Sequence, residues 1–281
     1  MIQRIQLALE TPIGFFLIVL FGLLLALLCV YGIMALRIRQ RDVYRYRHAR
    51  YFEAAEKAAT GYRFIGQHHG SFFGRETQVR DQKERRALCI ILPPEMATTD
   101  CCDRFGRFLD AREGRWPSHL ASYSFVDCNH RFVTIQQGLL SSEATPLMSL
   151  TAYVKDKYFT TIDKEKVLMT IAHTMADLHT SHINTGETLY HGFLLPATIF
   201  IERDAAHRLS HLTIADTGFV LAMGPAAFYQ RTQQLARGKI PLEKYRREEL
   251  LSQIAMLAPE QREEKRVNTV GPAADFFAFG T

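Results

Sequence analysis

Leu178 to Ile201 reads LHTSHINTGETLYHGFLLPATIFI, and the fold turns on how this stretch is read. Its first residues close a longer run, DKEKVLMTIAHTMADLHTSH from Asp163 to His182. There Val167, Ile171, Met175 and Leu178 recur at three- to four-residue spacing, which puts an apolar stripe on one face of a helix. Asp163 is the expected N-cap. A polar, glycine-bearing loop follows, then the tripeptide His191-Gly192-Phe193. TIFIE, Thr198 to Glu202, and HLTIA, His211 to Ala215, predict two short strands beyond it.

Further out, the run from Gln230 to Glu249 is charged and predicts a helix, read as a solvated insertion or a docking element. Toward the N-terminus the pattern changes. YRFIG from Tyr62, ALCIIL from Ala87, YSFV from Tyr123 and RFVTIQ from Arg131 are short apolar runs between turns, as in a small antiparallel sheet. One helix, around Thr98 to Arg112, interrupts them. Strands first and helices second predict an α+β chain of two lobes.

Ahead of this lies Ile13 to Leu36, without one charged residue. As a helix it spans about 35 Å, enough to cross a hydrocarbon core of about 30 Å. Arg37, Arg39, Arg41, Arg45, Arg47 and Arg50 follow, opposed by Asp42. Basic residues after the span, with only Arg4 and Glu10 before it, predict a short N-terminus outside and the rest of the chain in the cytoplasm. The arginines alternate with Tyr44, Tyr46, Tyr51 and Phe52, so this helix either lies against anionic headgroups or is a solvated linker. The expected division is residues 1–36 for terminus and span, 37–61 for the basic linker, 62–138 for the small lobe and 139–281 for the large one.

The 281 residues are 47% hydrophobic and carry a formal charge of +5, which the arginine cluster accounts for. No groove-reading or base-stacking motif accompanies that charge, so nucleic acid is not an expected partner. Cys29, Cys89, Cys101, Cys102 and Cys128 are odd in number and lack C-x-x-C spacing, against both a disulfide framework and a zinc site. His173, His179, His182 and His191 do not share one helix face and are read as ordinary histidines rather than metal ligands.

The order of short motifs resembles the protein kinases, the bacterial relatives of the eukaryotic Ser/Thr kinases in particular. Leu178 to Ile201 resembles the end of the long helix followed by the catalytic loop, H-R-D-L-K-P-x-N-I-x-I. Ile214 to Val220, IADTGFV, resembles the metal-binding I-A-D-F-G. Ala258 to Gln261, APEQ, matches the end of the activation segment, and Asp275 to Gly280, DFFAFG, resembles the D-x-x-x-x-G that opens the central helix of the large lobe. Behind the N-terminal transmembrane helix expected from the apolar run, the resemblance implies a bilobal kinase-like domain, a small antiparallel-sheet lobe plus an incomplete helical lobe. In the family the carboxylate at the Asp275 position caps its helix and binds the catalytic-loop backbone.

The same correspondence places Ile90 at the phosphate-binding Lys of the third strand, Phe193 at the catalytic Asp, Leu195 at the Lys that follows and Thr198 at the metal-binding Asn. A phenyl ring neither accepts a proton nor binds Mg²⁺. Asp216 survives as a lone carboxylate, a residual metal position. Gly66, Gly70 and Gly74 sit four apart in IGQHHGSFFG where the family has G-x-G-x-x-G, so they form either a residual nucleotide-capping hairpin or a plain turn. Asp103 and Asp110 are the candidates on the first helix for the carboxylate that pairs the strand Lys. No catalytic residue is therefore expected, and no cofactor beyond weak ATP–Mg²⁺ binding.

Three readings follow. The first is a membrane-anchored pseudokinase that binds an unidentified cytoplasmic protein, and the second a divergent active Ser/Thr kinase. In the third, the chain is an incomplete subunit of a membrane complex, with a second polypeptide or second copy completing the lobe.

Overall fold

The computed structural model describes residues 12–111, 116–127, 132–137, 148–181, 186, 188–240 and 242–280. Cys128 and His182 lie outside these residues. The chain divides into two compact units, Met1–Tyr51 and Phe52–Thr281.

Helix α1, Pro12–Ala58, makes up the described part of the first unit and carries on into the second. Within it Val19–Leu36 has a mean hydropathy of 2.7, and none of that window is buried. This helix is long and apolar enough to cross a membrane. The basic segment continues it without a break, since nothing between Leu36 and Ala58 terminates a helix.

In the second unit a sheet forms from β1 (Arg63–Phe64), β2 (His69–Gly70), β3 (Arg75–Arg80), β4 (Arg86–Ile91), β5 (Ser122–Asp127) and β6 (Phe132–Gln137). Its order is β1-β3-β4-β6-β5, with β2 also on β3, and every pairing is antiparallel. Strand β3, RETQVR, does not stand out in the sequence. Val79 is its one apolar residue; only Thr77 and Val79 are fully buried, and Gln78 is exposed. The end of α1 packs onto this lobe through buried Ala55 and Ala59, while Glu56 lies 3.4 Å from His68 and 3.7 Å from Arg75.

Helix α2, Thr99–Asp110, is capped by Thr98 and buries Cys101, Cys102, Phe105 and Phe108. Burial pushes the thiols of Cys89 and Cys101 up to about 12, so both are inert core residues. Asp103 and Asp110 are exposed.

The other lobe holds a second sheet, β7 (Met148–Ser149), β8 (Ile199–Arg203) and β9 (Leu209–Ile214) in that order. Around it lie α3 (Leu150–Val154) and α4 (Thr161–His179). Helix α4 buries Val167, Ile171, Met175 and Leu178, the stripe read from the sequence. Its N-cap is Thr160 and not Asp163. The Thr160 hydroxyl accepts from the Asp163 amide at 3.1 Å, and the Asp163 carboxylate accepts the Thr160 amide at 3.1 Å. Asp163 closes a capping box from the third helical position, and the Thr hydroxyl wins the cap because it sits where the chain is still extended. The two lobes are stitched where Ala121 donates to Ile214 O at 2.9 Å and Ile214 donates to His119 O at 2.7 Å.

The remaining helices are α5 (Phe219–Met223), α6 (Pro225–Ala236), α7 (Lys244–Ile254), α8 (Pro259–Arg262) and α9 (Ala273–Gly280). The charged run read as one helix is two. Gly238, at φ 69°, turns the chain between them, and a left-handed residue cannot continue a right-handed helix. Overall the second unit is a mixed α+β fold of two lobes.

Candidate functional site

A pocket of about 440 Å³ opens between the β1–β3 hairpin, β4, the loop before β8, the end of β9 and helix α7. Ile90 lines it, near the end of β4 with Glu76 on β3 as its register partner. The inward alternation of β4 also brings Leu88 to the same wall.

Phe193 is almost fully buried and stacks on Phe72 at 4.6 Å between centroids. Phe73, Phe219 and Phe228 complete an aromatic cluster around the pair. Phe72 and Phe73 come from the tip of the glycine-bearing hairpin, where Ser71 and Gly74 close a tight turn by hydrogen bonds of 2.8 and 3.1 Å. The tip thus folds inward on the loop bearing Phe193. A ring is less costly than a carboxylate against the four phenyl rings Phe72, Phe73, Phe219 and Phe228 of this cluster.

Thr198 faces its own loop. Its hydroxyl lies 3.2 Å from Phe193 O and 2.9 Å from Leu195 O, and accepts from the Leu195 amide at 3.2 Å. Leu195 is buried. Both nitrogens of the buried His191 are engaged. Nδ1 accepts from the Phe193 amide at 3.1 Å, which leaves Nε2 to donate to Ala215 O at 2.7 Å. Burial lowers its pKa and keeps the ring neutral. Among the described residues no group of three His, Cys, Asp or Glu side chains could hold a metal ion.

Asp216 is held in place by Gln136 of β6. The Gln136 amide donates to Asp216 Oδ1 at 2.8 Å and accepts the Asp216 amide at 3.2 Å. Asp216 adopts φ 62°, a left-handed conformation uncommon for a residue with a side chain. Burial pushes its carboxyl up to about 7; the Gln136 hydrogen bond opposes the rise and Glu76 adds to it. Gly218 follows at φ 86°, with the Phe108 ring 2.5 Å from where a Cβ would stand. The backbone can pass α2 there only as glycine.

Each glycine of the hairpin meets a different constraint. At Gly74 a Cβ would stand 2.2 Å from Ile91 O, so this glycine permits the close approach of β3 to β4. Gly66 has only ordinary contacts at 3.5–3.7 Å. Gly70 offers its carbonyl to Arg246 at 3.3 Å.

Arg246, Glu76 and Gln136 are site residues the sequence reading missed. Arg246, on α7, lies 3.6 Å from Glu76. A guanidinium and two carboxylates, Glu76 and Asp216, therefore line the pocket, with Glu249 a third carboxylate. Among the described residues no lysine lines it, and Asp103 and Asp110 are not in its lining. RETQVR carries no signal of its register with β4, so nothing local could have flagged Glu76 as the partner of Ile90. No sequence signal joins Arg246 to residues some 170 positions away.

Asp275 meets the expectation for its motif in part. It lies inside the first turn of α9 rather than ahead of it, and its carboxylate accepts the amides of His191 and Gly192, each at 2.7 Å.

No protein-family model matches the sequence, and no curated protein sequence matches it. Solved structures do match, among them the kinase domain of maize sucrose-induced receptor kinase 1 bound to AMP-PNP. The TM-score is 0.51 at 16% identity, over 80% of this chain and 69% of that one. At that identity the likeness concerns the fold, which is protein-kinase-like.

Proposed function

We propose that this protein is a membrane-anchored pseudokinase, a cytoplasmic binding module that relays or scaffolds a signal without efficient phosphoryl transfer. One observation carries the reading. Where the resemblance puts the catalytic carboxylate stands Phe193, buried and stacked on Phe72, with Ile90 in place of an ammonium. A general base contributes about 10²–10⁴ in rate, and no ammonium stands at the Ile90 position to meet a phosphate. The long apolar helix with arginines on its C-terminal side supports an anchor in a bacterial inner membrane, the domain facing the cytoplasm.

Purified full-length protein in detergent micelles, given radiolabelled ATP and Mg²⁺, should transfer no phosphoryl group to itself or to a general acceptor. Transfer abolished by Asp216→Ala would reject the reading. The convergence of Arg246, Glu76 and Asp216 favours a second reading, a divergent nucleotide-binding domain with its cation on α7. A Mg²⁺–ATP-dependent rise in melting temperature, lost in Arg246→Ala, would select it.

A further inference from the structure

We propose that the joint between the two lobes is acid-sensitive, and that the stacked rings of His119 and His211 are its sensor. Such a joint works alike whichever reading of the pocket holds. His119 belongs to the segment Trp116 to Ala121 that leads into β5, and His211 to β9 of the other sheet. Their rings lie 5.2 Å apart between centroids and 27° from parallel. The stack sits on the backbone stitch itself. His119 Nδ1 donates to Leu212 O at 3.0 Å, and the His119 carbonyl accepts the Ile214 amide at 2.7 Å. Ile214 is fully buried and ends β9. Two residues further on, Asp216 lines the pocket. One short stretch of chain thus carries the sensor at one end and a pocket carboxylate at the other.

Both rings are half-buried, so protons reach them while desolvation still counts. Burial first, then the His119 ring, holds His211 below its ordinary value of 6.5; Glu202, its register partner on β8, works the other way. Trp116 to Ala121 and β9 carry no other ionisable side chain. On β8 the remaining charge is Arg203, which Asp156 holds at 2.7 Å. On α4, Asp163 is taken up in its capping box. A second positive charge beside the first is unfavourable at such a spacing in a part-buried place. Separated rings in water carry both protons more readily, so acid shifts the population from stacked to separated. The stitched joint is therefore favoured above about pH 6.5 and weakens as pH falls.

Trp116, the one tryptophan of the chain, reports on the joint. Its Nε1 donates to Ala121 O at 3.3 Å, and its ring meets Phe108 and Tyr123 edge-on. In full-length protein in detergent micelles, its emission and acrylamide quenching are followed from pH 8 to pH 5. A red shift and easier quenching should set in below pH 6.5, with the far-UV circular dichroism unchanged. His211→Phe keeps a flat ring without the charge and should remove the transition, as should His211→Gln. Glu202→Gln takes away the opposing carboxylate and should move the midpoint to lower pH. No transition in the parent, a transition that survives both His211 variants, or a midpoint that Glu202→Gln leaves in place would each overturn the joint. Loss of the circular dichroism signal over the same range would overturn it too, since that reports unfolding, as through protonation of the buried His191.

Discussion

Asp275 holds Gly192 by its backbone amide at 2.7 Å across 83 residues of sequence. The other carboxylate oxygen takes the His191 amide and lies 2.9 Å from His179 Nε2. One buried side chain therefore sets the path of the loop that carries Phe193, and ties it to the end of α4.

Asp275→Asn keeps the size but leaves one acceptor oxygen where two were used. Hydrogen bonds to a charged group are worth about 1.5–3 kcal/mol each, so the variant should lose about 2 kcal/mol or more. Urea denaturation of the full chain in micelles measures this, and an unchanged midpoint would show that the loop holds itself.

Phe193→Ala removes a buried ring from the aromatic cluster and should destabilise by about 3–5 kcal/mol, seen as a lower melting temperature. Phe193→Asp should restore no phosphoryl transfer. The new carboxylate would face Phe72 and Phe228, and Ile90 still brings no cation to the phosphates.

Stability should depend on pH in opposite senses through Asp216 and His191. An unfolded Asp titrates near 3.9, whereas in the fold Asp216 titrates at about 7. From about pH 4 to 7 the folded chain keeps a proton that the unfolded chain releases, so this group's contribution falls as pH rises, then levels off. His191 is lowered, so below its ordinary value of 6.5 the unfolded chain takes up the extra proton and stability falls as pH drops. Asp216→Asn should therefore gain stability over the parent at pH 8 compared with pH 5. A pH-independent difference in melting temperature would refute the raised value.

Gly74→Ala should be strongly destabilising, because its Cβ would meet the Ile91 carbonyl of the neighbouring strand. Gly66→Ala should be close to neutral by melting temperature. The reverse ranking would mean that Gly66 serves some purpose beyond the path of the hairpin.

Carbonate-washed membranes should retain the chain. Leu27→Arg with Leu28→Arg, near the middle of Val19–Leu36, should release much of it, at about 2.5–3.5 kcal/mol per arginine. Full retention of that variant would mean that this helix does not hold the protein in the bilayer.

The sequence by itself determined the elements whose signal is local. The uncharged run of α1 follows from composition, and α4 from the spacing of Val167, Ile171, Met175 and Leu178. Strands β4, β8 and β9 follow from short apolar runs, and the order of motifs from Leu178 to Gly280 was enough to name the fold. Strand β3 escaped because Val79 is the one apolar residue in RETQVR, and the cap of α4 because Thr160 and Asp163 share one box. Tertiary structure alone decided what surrounds the pocket. Glu76 meets Ile90 only through strand register, Gln136 clamps Asp216 across 80 residues, and Arg246 reaches Gly70 across 176. Periodicity reports which face of an element is apolar; it carries no information on which distant polar groups will be driven together once those faces are buried.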